Sequence, residues 1–485
     1  FDFITFTGAW ANERQRQDKP LSTGVYVNDS KQGASSSRAN PFVMLKRRGA
    51  DEHQGECYAF NLVYSGNHAE IVEATHFGKT RLLLGINPFA FRWLLAPGKT
   101  FTAPEAVMAF SAEGLGGVSR CMHRFVRHNI VRGVWKERER PVLINSWEGT
   151  GMDFDERKLL SIAKVGAELG AELFVMDDGW FGHRESDDSS LGDWYVNEKK
   201  LKGGLSSLIE RVNAEGLKFG IWYEPEMISP DSDLYRAHPD WCLHVPNREN
   251  SPARLQYVLD MTRKDVRDNI FAQMYKVLSE NKIDYVKWDF NRNLTEVGSA
   301  LLPPERQKEV MHRFVLGTYD LMDRFVKAFP NILFENCSGG GGRFDAGMLY
   351  YSPQIWCSDN TDAIERLRIQ YGTSFCYPCA AVGAHVSAVP NGQTGRSVSM
   401  HTRGVVAAAG TFGYELDLNE ITSEEMEEVR TQIQHFRSCW DLVLRGDYYR
   451  LSNPFRQEAF NAWMHVSPDK SRALVGMVMG VGHAN

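Results

Sequence analysis

Between Pro141 and about Leu418 the chain alternates short apolar runs with longer amphipathic ones, and this restricts the fold more than any other feature. Such alternation is the pattern of a parallel α/β fold. Eight runs read as strands: Val142–Trp147, Leu173–Asp177, Phe219–Tyr223, Leu255–Asp260, Tyr285–Asp289, Ile332–Glu335, Gln354–Ser358 and Ala381–His385. Helical patterns fill most of the gaps. Asp155 to Gly170 opens on charged residues and stops at a glycine. Asp265 to Glu280 and Glu305 to Ala328 carry apolar residues at the helical repeat. Eight strands with helical crossovers predict a (β/α)8 TIM-type barrel over residues 138–420. A doubly wound sheet is the alternative, disfavoured because no glycine-rich phosphate loop follows the first strand.

The flanks read differently. Residues 1–137 show short apolar runs between turn residues, the pattern of part of an N-terminal β-sandwich, and a basic segment from Arg120 to Arg138 reads as a linker helix. Residues 421–485 begin with a helix from Ser423 to Leu444 and end in strand-like segments, a truncated C-terminal β domain. Both termini read as the middle of a strand, which predicts a piece of a longer protein. A net charge of -6 and the lack of a long basic run argue against a nucleic-acid partner. No apolar stretch is long enough to span a bilayer. The eight cysteines have no disulfide-framework spacing, which predicts a reducing compartment, the cytoplasm. Cys376 and Cys379 form one CxxC without two further ligands at zinc-site spacing, so no metal is expected.

Barrel enzymes keep their chemistry at the C-terminal ends of the strands. Here those ends carry Trp147-Glu148, Asp177-Asp178, Trp222 to Glu226, Lys287 to Asn291, Glu335 to Ser338 with Gly339 to Gly342 beyond, and Trp356 to Asp362, while Arg254 precedes the run at 255–260. In Tyr285 to Asp289, alternation puts Tyr285, Lys287 and Asp289 on one face. A lysine beside Asp289 would lower its pKa and hold an ionised carboxylate fit to be a nucleophile. A structural ion pair at a strand end is the alternative. Carboxylates and tryptophans abound, histidine is scarce, and no zinc, serine-hydrolase or Walker motif occurs. Two carboxylates flanking a bond, with aromatic walls, are what glycoside cleavage needs.

Five runs carry a closer likeness: Met176-Asp177-Asp178-Gly179-Trp180-Phe181, Trp222-Tyr223-Glu224-Pro225-Glu226-Met227, Lys287-Trp288-Asp289-Phe290-Asn291, Glu335-Asn336-Cys337-Ser338-Gly339-Gly340-Gly341 and Ser358-Asp359-Asn360-Thr361-Asp362-Ala363. Together, and in this order, they resemble the α-galactosidases of glycoside hydrolase family 36, retaining enzymes with a (β/α)8 barrel between an N-terminal β-sandwich and a smaller C-terminal β domain. The resemblance implies Asp289 as nucleophile and Asp359 as acid/base, with Asp362 the rival, and carboxyl groups about 5–5.5 Å apart. It implies Asp177 and Asp178 on the C4 and C6 hydroxyls of galactose, Lys287 on ring hydroxyls, and Asn291 in the sugar site. Trp147 and Trp222 would be pocket walls, with core packing the alternative. Cys337 and Gly340 would lie at the C2 side, leaving room for a hydroxyl rather than an N-acetyl group. Arg254 resembles a pocket arginine without an assigned partner, and Glu224 and Glu226 supports for the third strand. The implied reaction is hydrolysis of α-galactosides such as melibiose and raffinose, without a cofactor, by a homo-oligomer, a tetramer in intact family members. Galactosyl transfer of the raffinose- or stachyose-synthase kind and α-N-acetylgalactosaminidase activity are the alternatives.

Overall fold

The computed structural model describes residues 1–456 and 460–479. Eight parallel strands close into a barrel in the order Leu143–Asn145, Leu173–Met176, Lys218–Tyr223, Tyr285–Trp288, Leu333–Asn336, Gln354–Trp356, Val382–Ser387 and Thr411–Glu415, the last pairing with the first. Helices cover the outside and side chains fill the inside, so nearly every strand residue is buried. Burial on both faces is why these runs are continuously apolar. Glu156–Leu169 is a helix as expected, with the Asp155 side chain accepting from Lys158 N and Gly170 left-handed at its end. Lys264–Glu280 and Val310–Ala328 are the helices expected near those positions, the second preceded by a 3₁₀ turn at Pro304–Glu309.

Two strand readings are corrected. The run 255–260 is not a barrel strand: its two-residue strand Tyr257–Val258 pairs antiparallel with Met227–Ile228 in the loop after the third barrel strand. Alternation marks an extended chain but not its partner. Thr411–Glu415 takes the vacant place and makes Tyr285–Trp288 the fourth barrel strand. A Cβ on Gly413 would lie 2.9 Å from the Leu143 carbonyl oxygen, so glycine lets the last strand close on the first. The first strand also ends sooner than expected, at Asn145, and Trp147–Thr150 is a helical turn.

Before the barrel, a five-stranded and a three-stranded antiparallel sheet enclose Phe3, Leu21, Val43, Leu45 and Val72. The basic segment is helical earlier than its composition suggested: Gly114–Phe125 is the helix, Val126–Ile130 a π turn, and only Val134–Lys136 forms a further short turn. After the barrel, Ser423–Arg445 is one helix opened by a Thr422–Glu425 capping box, followed by a three-stranded antiparallel sheet. Among the described residues no helix is long and apolar enough to cross a membrane.

The first hairpin, Asp2–Ala9 and Asn12–Pro20, reaches onto the barrel mouth. Arg14 donates to Thr373 Oγ1 at 2.6 Å and to the carbonyl oxygens of Gly341, at 3.1 Å, and Cys357. Ser358 Oγ donates to Glu13, and Asn360 Nδ2 to the Ala11 carbonyl at 3.1 Å. These bonds, buried or partly buried, fix the hairpin tip over the loops that follow the fifth and sixth barrel strands.

Candidate active site

A cavity of about 200 Å³ opens at the C-terminal ends of the strands. Asp289, at the end of the fourth strand, lies in its wall. Phe290 N and Gly339 N donate to Oδ1 at 2.8 and 3.3 Å, and Asn291 Nδ2 and Trp222 Nε1 donate to Oδ2 at 2.7 and 3.2 Å. Burial pushes this carboxyl up. The Lys287 charge and donors from Asn291, Cys337 and Phe290 outweigh burial and hold it below the usual carboxylate range, hence ionised. Asp359, in the loop after the sixth strand, lines the same cavity. Trp356 Nε1 donates to its Oδ1 at 3.1 Å and Trp10 Nε1 to its Oδ2 at 2.8 Å. Burial first, and then the charge of Asp289, push Asp359 up. The two carboxyl groups are thus displaced in opposite directions.

Lys287 does not pair with Asp289, as alternation along the strand suggested. Its Nζ lies 2.9 Å from Asp177 Oδ2, beyond the end of the second strand, and Asn145 Nδ2 donates to the same oxygen at 2.7 Å. Its effect on Asp289 is that of a charge close by. Asp178 is held by the buried Arg184, which donates from Nε and Nη2 at 2.6 and 2.8 Å. Glu224 does more than support its strand: it accepts from Gln256 Nε2 at 2.7 Å, from Asn291 N, and from Asn291 Nδ2 at 3.1 Å. The Asn291 amide is thereby aimed at Asp289. Burial, with the charge of Asp289, pushes Glu224 up to about 7. Glu226 instead joins Trp288, Thr318 and Arg343 at 2.9–3.0 Å, away from the cavity.

The melibiase family model matches residues 100–446, and the model of the glycosyl hydrolase family 36 N-terminal domain matches residues 1–96. The chain belongs to glycoside hydrolase family 36. It is 54% identical to alpha-galactosidase AgaA of Geobacillus stearothermophilus, over 100% of this chain and 66% of that one. It is 50% identical to alpha-galactosidase 1 of Pediococcus pentosaceus, over 98% of this chain and 65% of that one. The crystal structure of AgaA matches with a TM-score of 0.98, covering 100% of this chain and 67% of that one, and so does a variant of AgaA crystallised in complex with raffinose. The chain spans about two thirds of the length of these relatives.

In this family 36 chain the cavity gathers Trp147, Asp177, Asp178, Trp222, Arg254, Lys287, Asn291 and Cys337 with Asp289 and Asp359. Gly340 is not in the wall. It packs behind it, where a Cβ would lie 2.6 Å from Asp359 N. Asp362 is also absent from the wall: it caps the helix Ala363–Thr373 and takes Arg396 Nη1 at 2.7 Å. Arg254 has Asp187 at 3.7 Å and a backbone φ of 52°.

Several cavity residues escaped the sequence reading. Trp10 comes from the N-terminal hairpin, 349 positions from the Asp359 it bonds, and no local pattern could have found it. Glu148, Trp356 and Thr361 stand at strand ends, where the sequence places them among the gathered polar and aromatic residues but assigns them no role in the site. Gln393 Nε2 donates to the Asp359 carbonyl at 2.6 Å, and Glu415 ends the strand that was overlooked. Burial and the charge of Glu415 push Glu148 up to about 8, while His385 Nδ1, 2.9 Å from Glu415, and Lys287 help to hold Glu415 low. Trp356 covers His385, with ring centroids 4.4 Å apart. Cys376 and Cys379 are buried free thiols. Among the described residues no group of three or more His, Cys, Asp and Glu side chains could hold a metal ion.

Proposed function

We propose that this chain carries the catalytic machinery of a retaining α-galactosidase that hydrolyses terminal non-reducing α-D-galactosyl residues of oligosaccharides such as melibiose and raffinose. The observation that carries the reading is the pair Asp289 and Asp359, two carboxyl groups in one cavity whose proton affinities are displaced in opposite directions. Asp289, ionised, attacks the anomeric carbon. Asp359, protonated, gives its proton to the departing oxygen, then takes one from the water that releases galactose with its configuration retained. Asp177, Asp178 and Lys287 hold sugar hydroxyls, and Trp147 and Trp222 pack against the ring. A site that hydrogen-bonds the axial C4 hydroxyl rejects the glucose epimer. Buried Cys337 beside Asp289 leaves the C2 side to a hydroxyl. The similarity to named alpha-galactosidases, and to an AgaA variant crystallised with raffinose, supports the substrate class. The intact protein is a cytoplasmic homo-oligomer in this reading.

Release of nitrophenol from p-nitrophenyl α-galactoside, with the first-formed anomer followed by NMR, tests the reading. Initial release of α-galactose supports it. Initial β-galactose overturns the retaining mechanism, a preference for the N-acetylgalactosaminide overturns the substrate, and galactosyl transfer to excess sucrose in place of hydrolysis overturns the reaction.

A further inference from the structure

Asp359 stands in a stretch without regular structure, residues 357–362, between the sixth barrel strand and the helix Ala363–Thr373. No ladder or helix bonding fixes its carboxyl, so side chains must. The N-terminal hairpin holds this stretch from outside, through Ser358 and Asn360. Arg366, from the helix that follows, holds it from within.

Arg366 is 3% exposed, and every hydrogen-bond partner its guanidinium has among the described residues is a backbone carbonyl. A buried charge with no counter-ion is costly, and packing alone would be served by an apolar side chain. Nε and Nη2, the two donors on one edge of the guanidinium, meet the carbonyl oxygens of Asn360 and Ser358, each at 2.7 Å. These are the residues on either side of Asp359. Nη1 donates to the Gly383 carbonyl at 3.1 Å, which ties the fork to the seventh barrel strand. The guanidinium carbon lies over the face of the Trp356 ring, 4.6 Å from its centre, and Trp356 Nε1 donates to Asp359 Oδ1 at 3.1 Å. Glycine at 383 leaves room for that ring, since a Cβ there would lie 3.1 Å from Trp356 Cε3. One side chain thus sets the backbone on both sides of Asp359 and the indole that bonds its carboxyl.

We propose that Arg366 is the positioning residue of the acid/base: it holds Asp359 where a proton can pass to the departing oxygen. Arg366 is not in the cavity wall, so it acts through Asp359 and not on the sugar. This rests on the α-galactosidase reading, with Asp359 as acid/base. Lysine would carry the same charge, but one ammonium cannot span both carbonyls as the planar fork does.

Proton donation matters most where the leaving group is an alcohol and least where it is a nitrophenolate, which departs without a proton. The test therefore compares kcat/KM for melibiose with kcat/KM for p-nitrophenyl α-galactoside. Both substrates present the same galactosyl unit, so a general loosening of the cavity lowers both and leaves their ratio where it was. In Arg366→Lys the ratio of melibiose to nitrophenyl galactoside should fall about tenfold or more. Trp356→Phe, which keeps the stacked ring and removes only the indole N–H, should move the ratio in the same direction. Azide needs no proton removed, so it should raise nitrophenol release by Arg366→Lys and yield α-galactosyl azide from the galactosyl-enzyme. Arg140→Lys is the control. Arg140 is also buried and also holds carbonyls, those of Trp135 and Arg138, but it lies ahead of the first barrel strand, at the other end of the barrel, and its loss should leave the ratio unchanged. An unchanged ratio in Arg366→Lys, or in Trp356→Phe if Arg366→Lys does not fold, overturns the proposal, as does an equal fall in the control. A folded parent that turns over neither substrate overturns the α-galactosidase reading as well.

Discussion

Lys287→Met removes one charge from the centre of the site and keeps most of the side chain's bulk. Lys287 Nζ sits 2.9 Å from Asp177 Oδ2, and the two side chains are only 7% and 4% exposed. Breaking a buried pair by removing one partner costs about 3–5 kcal/mol, because the other charge stays behind unpaired. The Asn145 amide, 2.7 Å from the same Asp177 oxygen, remains in place, which puts the expected loss near the lower end, about 3 kcal/mol. The double variant Lys287→Met, Asp177→Asn has neither charge and should regain most of that stability without regaining activity. A second effect follows from Asp289, which must be ionised to attack. Lys287 helps to hold its pKa down, so without that charge the pKa rises. The ionised fraction is then lost at a higher pH as acid is added, and the acidic limb of kcat/KM moves upward. Urea unfolding followed by tryptophan fluorescence measures the first effect, and kcat/KM across the acidic range measures the second. A loss of about 1 kcal/mol or less, the value of an exposed pair, refutes the first argument. An acidic limb that does not move refutes the second.

Two further outcomes come from the acid/base side. The Trp10 indole favours the charged form of Asp359 and so lowers its pKa. In Trp10→Phe the pKa should rise, Asp359 should keep its proton to higher pH, and the alkaline limb of kcat/KM should move up; an unmoved limb contradicts the bond's role. Gly340 has a φ of 77° and no room for a Cβ beside Asp359 N. Gly340→Ala should therefore displace the Asp359 backbone and lower kcat about a hundredfold, as misplacement by an ångström does. A kcat equal to the parent's, in a variant that unfolds at the same urea concentration, would contradict it.

The barrel was legible because its strands are short apolar runs separated by amphipathic helices, and seven of them lie where those runs do. The eighth was not. Thr411–Glu415 is five residues long, contains Gly413 and follows an alanine-rich helix end, so it presents little β-branched character. The run at 255–260 also has a single β-branched residue but no glycine, and it pairs outside the barrel, because pairing is decided by partners distant in sequence. The same limit applies to the site. Asp289 with Lys287 and Asn291, or Asp177 with Asp178, are neighbours in the chain and could be read together. The pairing of Lys287 with Asp177 spans 110 positions and that of Trp10 with Asp359 spans 349, and neither leaves a trace in local composition. Glu224 was legible as a residue but not in its task, since its hold on Asn291 needs the turn that brings them together.

The central claim is that Asp289 forms the bond to the sugar, and azide rescue tests it most directly. Asp289→Gly should nearly abolish release of nitrophenol from p-nitrophenyl α-galactoside. Azide, entering the space left by the carboxylate, should restore turnover and yield β-galactosyl azide. A variant that keeps the parent's activity, or one that azide rescues only as the α-azide, would contradict the account.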